Sequence, residues 1–379
     1  MNNPRIKHVH YPSRLPNGRI RMGDVSYGVA AEISGDEDGA VWQLLGLMDG
    51  SRDIDGVVAA CRRRRPALSA EGVRETIAAL IDAGFVEDAG APAPVQLSAA
   101  EVERYATNTR YFAWVDTAPR PSPYEAQRRL KDARVAVLGL GGTGGAMAMS
   151  LAAVGVGQLR CLDFDVVEVS NLSRQLLYLE EDLGRPKVEA AVQRLRQVNP
   201  HVDVRGEELH ATSADDLEAI MQEVDFLALC ADQPPRHIQL WTNEAALRTG
   251  TPWSTCAYDG PMIVTAMWVP FSSACMECFM AHVRADDLRR YDGRPEPLLS
   301  RPPNAVIAPT ANASGHLGAL EVVYHLTGLQ PQTVGRMLHQ DLLHYDHVYF
   351  IEAEKRADCP ACGQRTAPGE RRPIPFVHA

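Results

Sequence analysis

The sequence predicts a doubly wound α/β core preceded by a small α+β domain, and three observations carry that expectation. From Ala133 onward, apolar runs at 135–138, 159–164 and 226–229 read as strands, interleaved with helical periodicity over 144–154, 187–198 and 235–248. A glycine-rich turn, Gly139-Leu-Gly141-Gly142-Thr-Gly144, joins the first of these strands to the first helix. Ahead of the pattern, residues 19–33 alternate as strands do and residues 41–81 place apolar side chains at helical spacing, enough for a separate core.

The elements follow in order. Strands are expected at 19–22 and 27–33, then helices carrying Val41, Trp42, Leu44, Leu45 and Leu47, then Ile54, Val57 and Val58, then Val73, Ile77, Leu80 and Ile81. Gly50 and Gly84 suit helix ends. The small, proline-rich stretch at 87–94 suits neither periodic structure, which divides the chain into a domain at 1–90, a linker at 91–98, a core domain at 99–365 and a tail at 366–379. Ser98-Ala-Ala-Glu101 is a capping pattern opening a helix towards Phe112, and a second helix is expected over 123–131. Beyond the parallel strands come a strand at 262–269, a charged, proline-dotted loop at 284–303, a small-residue helix packing inward at 311–326 and a last strand at 349–351.

Composition excludes some functions. The 379 residues hold 38 Lys and Arg against 48 Asp and Glu, a net charge of -10, so no global basic field draws nucleic acid. No apolar run follows the basic N-terminal residues, and none approaches the ~18 residues that span a bilayer. The expectation is a cytoplasmic protein without membrane or nucleic-acid partners.

The glycine turn between strand and helix lets backbone amides approach a phosphate at a helix N-terminus. Asp163 lies 19 residues beyond Gly144, at the end of the second strand, where a carboxylate accepts from ribose hydroxyls. Those two features suit a dinucleotide equally. The run Asp163-Phe-Asp165 … Ser-Asn171-Leu-Ser-Arg174-Gln175 … Gly184-Arg-Pro-Lys187 then adds an amide, a guanidinium and an ammonium, for which hydride transfer has no use. Two fixed cations suit a triphosphate, because attack at the α-phosphorus builds charge on the phosphoryl oxygens and on pyrophosphate. Asp232, in Cys230-Ala-Asp232 at a strand end, is a candidate magnesium ligand. Two Cys-x-x-Cys pairs, Cys275/Cys278 and Cys359/Cys362, supply four thiolates for a closed structural zinc site. Cys61, Cys161, Cys230 and Cys256 read as unpaired thiols.

Over residues 98–362 these motifs, in this order, resemble the ThiF/MoeB and ubiquitin-activating (E1-like) family of ATP-dependent adenylating enzymes, with a Rossmann-like core. The resemblance implies a catalytic set of Asn171, Arg174, Lys187 and Asp232, with Asn171, Arg174 and Lys187 around the phosphates and Asp232 on magnesium. Nucleotide contacts are implied for Gly139, Gly141, Gly142, Gly144, Asp163 (on the ribose), Asp165 and Gln175 as well. ATP, Mg2+ and structural Zn2+ are the expected cofactors, and a homodimer the expected assembly. Two departures matter. Residues 284–303 contain no cysteine, so a protein thioester is not expected; and the family's Arg-Tyr-x-Arg pattern reads Arg104-Tyr105-Ala106-Thr107 here, with Arg110 three residues on. The first 90 residues resemble a PqqD-like, winged-helix peptide-recognition domain, which implies a ribosomally made precursor peptide as substrate and an architecture similar to the microcin C nucleotidylating and pantocin-type enzymes. A sulfur-carrier activating enzyme, a non-catalytic leader-binding protein and a nicotinamide oxidoreductase are the competing readings.

Overall fold

A computed structural model describes residues 1–24, 29–291, 305–363 and 365. The chain divides into two compact units, meeting between Arg129 and Leu130. The strand expected at 27–33 falls partly, the loop at 284–303 largely, and the tail wholly outside the described residues.

The first unit contains β1 (Pro4–Ile6), β2 (Pro12–Arg14), β3 (Ile20–Asp24), β4 (Val29–Ile33), α1 (Ala40–Leu47), α2 (Ile54–Arg64), α3 (Ala70–Asp82), β5 (Val86–Asp88), α4 (Ala99–Arg104) and α5 (Ala106–Val115). Strands β2-β3-β4 form one antiparallel sheet and β1 pairs antiparallel with β5. Its core is the expected one: Leu44, Leu45, Val57, Val58, Val73, Ile77 and Leu80 close over Ile20 and Met22. Helix starts follow sequence, with Asp53 and Ser69 accepting from Gly56 and Gly72 amides and Ser98 with Glu101 forming the capping box. Trp42 departs from expectation: it is exposed, with the Arg14 guanidinium 5.3 Å above its ring. Helices α4 and α5, placed by sequence in the core domain, group with this unit. The reason is visible: Lys7 Nζ donates to the Asp116 carbonyl at 2.7 Å, His10 Nε2 lies 3.1 Å from the Ala113 carbonyl, and Gly84 lies so close to Thr117 that a Cβ would clash.

Helix α6 (Glu125–Asp132) leads to the second unit: β6 (Arg134–Leu138), α7 (Gly142–Val154), β7 (Gln158–Asp163), α8 (Lys187–Val198), β8 (Asp203–Glu208), α9 (Ala214–Met221), β9 (Phe226–Leu229), α10 (His237–Thr249), β10 (Trp253–Asp259), β11 (Met262–Trp268), α11 (Met276–Tyr291), α12 (Ala308–Thr327), β12 (Arg336–Asp341) and β13 (Val348–Glu352). One eight-stranded sheet runs β13-β12-β11-β10-β9-β6-β7-β8. From β10 to β8 neighbouring strands are parallel, and from β10 to β13 they are antiparallel. Helices α7, α8 and α12 pack together, as do α9, α10 and α11, the two helical groups of a doubly wound, Rossmann-like sheet. Helix α12 packs through its small residues, as expected. A Cβ at Gly315 would stand 2.1 Å from the Thr143 carbonyl, and one at Gly318 2.2 Å from Cys256 Sγ. Helix α11 continues into the stretch expected as loop, and β8, β10, β12 and α9 were not foreseen.

His325 of α12 is 2% exposed, its ring 5.4 Å from Phe226, and burial pulls its pKa down to about 4. Between that value and ~6.5 the unfolded chain binds a proton that the folded chain does not, so stability falls as pH drops through this window. The contribution is on the order of 3 kcal/mol. Denaturant titrations at pH 7 and pH 4.5 are expected to show a smaller loss for His325→Leu than for the unaltered protein.

Candidate active site

The C-terminal ends of β6, β7 and β9 converge where the strand order reverses, between β6 and β9. In open α/β sheets this crevice receives ligands. Gly139 leaves β6 at φ +89° with its Cβ position 2.6 Å from the Ala231 amide, so only glycine lets the turn lie against the end of β9. At Gly144 a Cβ would stand 1.8 Å from the Gly139 carbonyl. These glycines fold the loop tightly. At Gly141 the nearest atom to such a Cβ is Gln175 Nε2 at 3.8 Å, and Gly141 caps a helix whose first-turn amides carry the positive end of its dipole.

Two anchors fix the loop. Asp163 is buried, with Oδ2 accepting from the Leu140 amide at 2.6 Å and Oδ1 from the Asp165 amide at 2.9 Å. Each oxygen retains a further lone pair. The Tyr178 hydroxyl donates to the Leu140 carbonyl at 2.9 Å. The segment after β7 then winds back along the loop. Asn171 is buried, its Oδ1 accepting from the Glu168 amide at 3.0 Å, and its carbonyl accepts the amides of Arg174 and Gln175. Asn312 of α12 donates to the Arg174 carbonyl at 3.0 Å, and a Cβ on Gly142 would meet that same carbonyl at 3.1 Å. Gln175 is buried beside Gly141 with its Oε1 lacking a hydrogen-bond partner among the described residues. That buried atom has not been compensated.

The charges are disposed unequally. Lys187 is buried at the start of α8, its Nζ 2.9 Å from Asp165 Oδ2, while the Asp165 side chain is half exposed. Arg174 donates to the Ser170 carbonyl at 2.9 Å and acts electrostatically on the Tyr258 phenol. Asp232 is exposed beyond β9, close enough to Tyr258 to act on it electrostatically. The structure therefore brings the predicted glycines, Asp163, Asp165, Asn171, Arg174, Gln175, Lys187 and Asp232 to one strand edge. Tyr178, Tyr258 and Asn312 were missed; no local pattern marks them. Arg104 and Arg110 are exposed on α4 and α5 of the first unit.

The four predicted cysteines also meet. All are buried, with Sγ–Sγ separations of 3.8 Å (Cys275–Cys278), 3.7 Å (Cys275–Cys359) and 3.6 Å (Cys278–Cys362). Tetrahedral thiolates at ~2.3 Å from zinc stand ~3.8 Å apart, so the cluster fits a metal without rearrangement. The Arg356 amide donates to Cys278 Sγ at 3.5 Å, and Leu247, Phe271 and Ala361 enclose the sulfurs.

The ThiF family pattern matches residues 117–361, well over half of the chain. The chain belongs to the ThiF family. It is 32% identical over 244 residues to the molybdopterin-synthase adenylyltransferase of Escherichia coli K12, covering 64% of this chain and 91% of that protein. It is 31% identical over 245 residues to the sulfur carrier protein ThiS adenylyltransferase of Bacillus subtilis 168 (64% and 68%). Against the Bos taurus adenylyltransferase and sulfurtransferase MOCS3 it is 33% identical over 247 residues, spanning only half of that relative's length. Among solved structures, E. coli MccB superposes with a TM-score of 0.75 at 19% identity over 98% of this chain and 99% of that one. PaaA superposes with 0.71 at 25% identity over 92% and 100%. The family carries the enzyme class, ATP-dependent adenylyl transfer. No helix of the described residues is long and apolar enough to cross a membrane.

Proposed function

We propose that this ThiF-family enzyme adenylates a carboxylate or amide oxygen of a ribosomally made precursor peptide, held by the first unit. The supporting observation is where the two kinds of likeness end. The curated relatives named above match 64% of this chain and the family pattern begins at residue 117, past most of the first unit, whereas the MccB fold spans 98% of the chain. MccB has been solved with ATP and with MccA.

In this reading ATP places its phosphates on the α7 amides and its ribose at Asp163. The acceptor oxygen attacks the α-phosphorus and pyrophosphate departs, with Arg174 and Lys187 stabilising the charge that develops on both. Asn171 and Gln175 would lie beside the phosphates, and Gln175 Oε1, unpaired among the described residues, is an acceptor for a ligand hydrogen. Asp232 would hold magnesium, which when bound neutralises part of the phosphate charge. A carboxylate acceptor is already nucleophilic and needs no base. The cysteine cluster would hold zinc in a closed structural role. The adenylate then stays as nucleotidyl product, is displaced by an internal nucleophile, or is passed to another acceptor.

We also assign a homodimer to this enzyme. The stretch after β7 exposes Phe164, Val166, Val169, Leu176, Leu179 and Leu183, an apolar surface that a second copy would cover. Arg104 or Arg110 would take the place of the arginine absent at position 107. Light scattering at micromolar concentration tests the assembly.

The sulfur-carrier reading is favoured by the sequence relatives, which include molybdopterin-synthase and ThiS adenylyltransferases. Removing residues 1–90 separates the two readings. The truncated enzyme is expected to keep its Mg-ATP affinity while losing affinity for peptides encoded beside the gene. Equal loss of both would reassign the first unit to holding the core together.

A further inference from the structure

Asn312 has no role in the chemistry described so far, yet what it touches is specific. It lies near the start of α12, 7% exposed, although asparagine is a poor former of helix interiors. Its Nδ2 donates to the Ala308 carbonyl at 2.7 Å and to the Arg174 carbonyl at 3.0 Å. Two carbonyl acceptors fix which end of the carboxamide carries the nitrogen. The first bond runs four residues back along the same helix and sets the side chain's direction. The second reaches across 138 residues of sequence to the segment after β7. Other contacts dock the helix itself: Ser314 Oγ donates to the Ala257 carbonyl at 3.0 Å, and Gly315 and Gly318 bring α12 against α7 and β10.

The peptide that Asn312 grips is the one joining Arg174 to Gln175. The Arg174 amide donates to the Asn171 carbonyl at 3.0 Å and its carbonyl accepts from Asn312, so the main chain of this residue is held at both ends. The same carbonyl would stand 3.1 Å from a Cβ on Gly142, in the first turn of the helix whose amides are assigned to the phosphates. Rotation of this peptide would redirect both the guanidinium before it and the carboxamide after it. A free arginine carries large rotamer entropy, so a fixed main chain leaves less freedom to lose when a phosphate arrives. We propose that Asn312 is a positioning residue for adenylyl transfer, pinning the peptide between Arg174 and Gln175 beside Gly142 and so setting the guanidinium at the reacting phosphate. The inference rests on the phosphate role given to Arg174.

Mg-ATP and adenosine serve as probes, titrated calorimetrically into the full chain, Arg174→Ala, Asn312→Leu and the double variant. Arg174→Ala is expected to weaken Mg-ATP by about 30-fold or more and to leave adenosine unchanged. Asn312→Leu keeps the volume and deletes the donor; it is expected to weaken Mg-ATP by about 3–10-fold, again sparing adenosine. In the Arg174→Ala background the same change is expected to cost no more than about twofold, because the asparagine acts through the arginine. Asn312→Ala, which removes the same donor and suits a helix, is carried alongside and read instead where the leucine variant fails to fold. Unchanged Mg-ATP binding in Arg174→Ala would overturn the phosphate reading itself. With that reading intact, three results overturn the positioning role: the position-312 variant binds Mg-ATP normally, its loss adds fully to that of Arg174→Ala, or it weakens adenosine equally.

Discussion

Lys187→Ala is expected to lower adenylation by about 100-fold or more while the protein stays folded. The ammonium is buried at the start of α8, beside the glycine loop, and held there by Asp165. As pyrophosphate leaves, negative charge grows on oxygens that a fixed cation in a partly dry site stabilises far better than water does. Removal costs little in folding, because the Asp165 side chain left behind is half exposed and regains water. Pyrophosphate release under saturating acceptor, with a thermal melt in parallel, checks both halves. Unchanged turnover would remove Lys187 from the chemistry.

Cys278→Ser is expected to release the metal and to destabilise the second unit severely. The four sulfurs link the start of α11 to the segment after β13, two parts of the chain 84 residues apart at Cys275 and Cys359. A loaded thiolate site contributes roughly 10–16 kcal/mol of apparent binding energy to folding. Losing half of that, ~5–8 kcal/mol, rivals the whole stability of a modest domain, ~5–15 kcal/mol. Elemental analysis of the purified protein should find about one zinc per chain and none in the variant, whose melting temperature should fall in step. Metal-free protein with undiminished stability would contradict the structural role.

What was legible in the sequence followed burial. Strands β6 and β9 are buried on both faces and read as unbroken apolar runs, and α8 begins at the Lys187 that the Gly-x-Pro-Lys element marks. The glycine turn and the acid at 163 carry chemistry in their spacing and lie against each other, and the two cysteine pairs meet in a cluster of their own. Strand β8 was missed because it is the sheet's edge: Asp203-Val-Arg-Gly-Glu-Glu buries only Val204. Strand β10 mixes polar Ser254, Thr255 and Tyr258 with its apolar residues, and β12 carries Arg336, His339 and Gln340, so neither shows a clean period. Tyr178 and Asn312 matter only through where folding puts their polar tips, one on the Leu140 carbonyl and the other on that of Arg174. Trp42 lies on a helix whose buried face is Leu44, Leu45 and Leu47, and its own ring turns outward to Arg14.

The most direct test of a peptide-adenylating enzyme is the mass of its product. The full-length enzyme, Mg-ATP and the short peptides encoded beside its gene would be incubated together, with pyrophosphate followed over time. Pyrophosphate release with one such peptide, and a product heavier by an adenylyl group or lighter by water with AMP released, is the predicted result. Silence with every peptide, but turnover with a small carrier protein ending in Gly-Gly, would contradict the account.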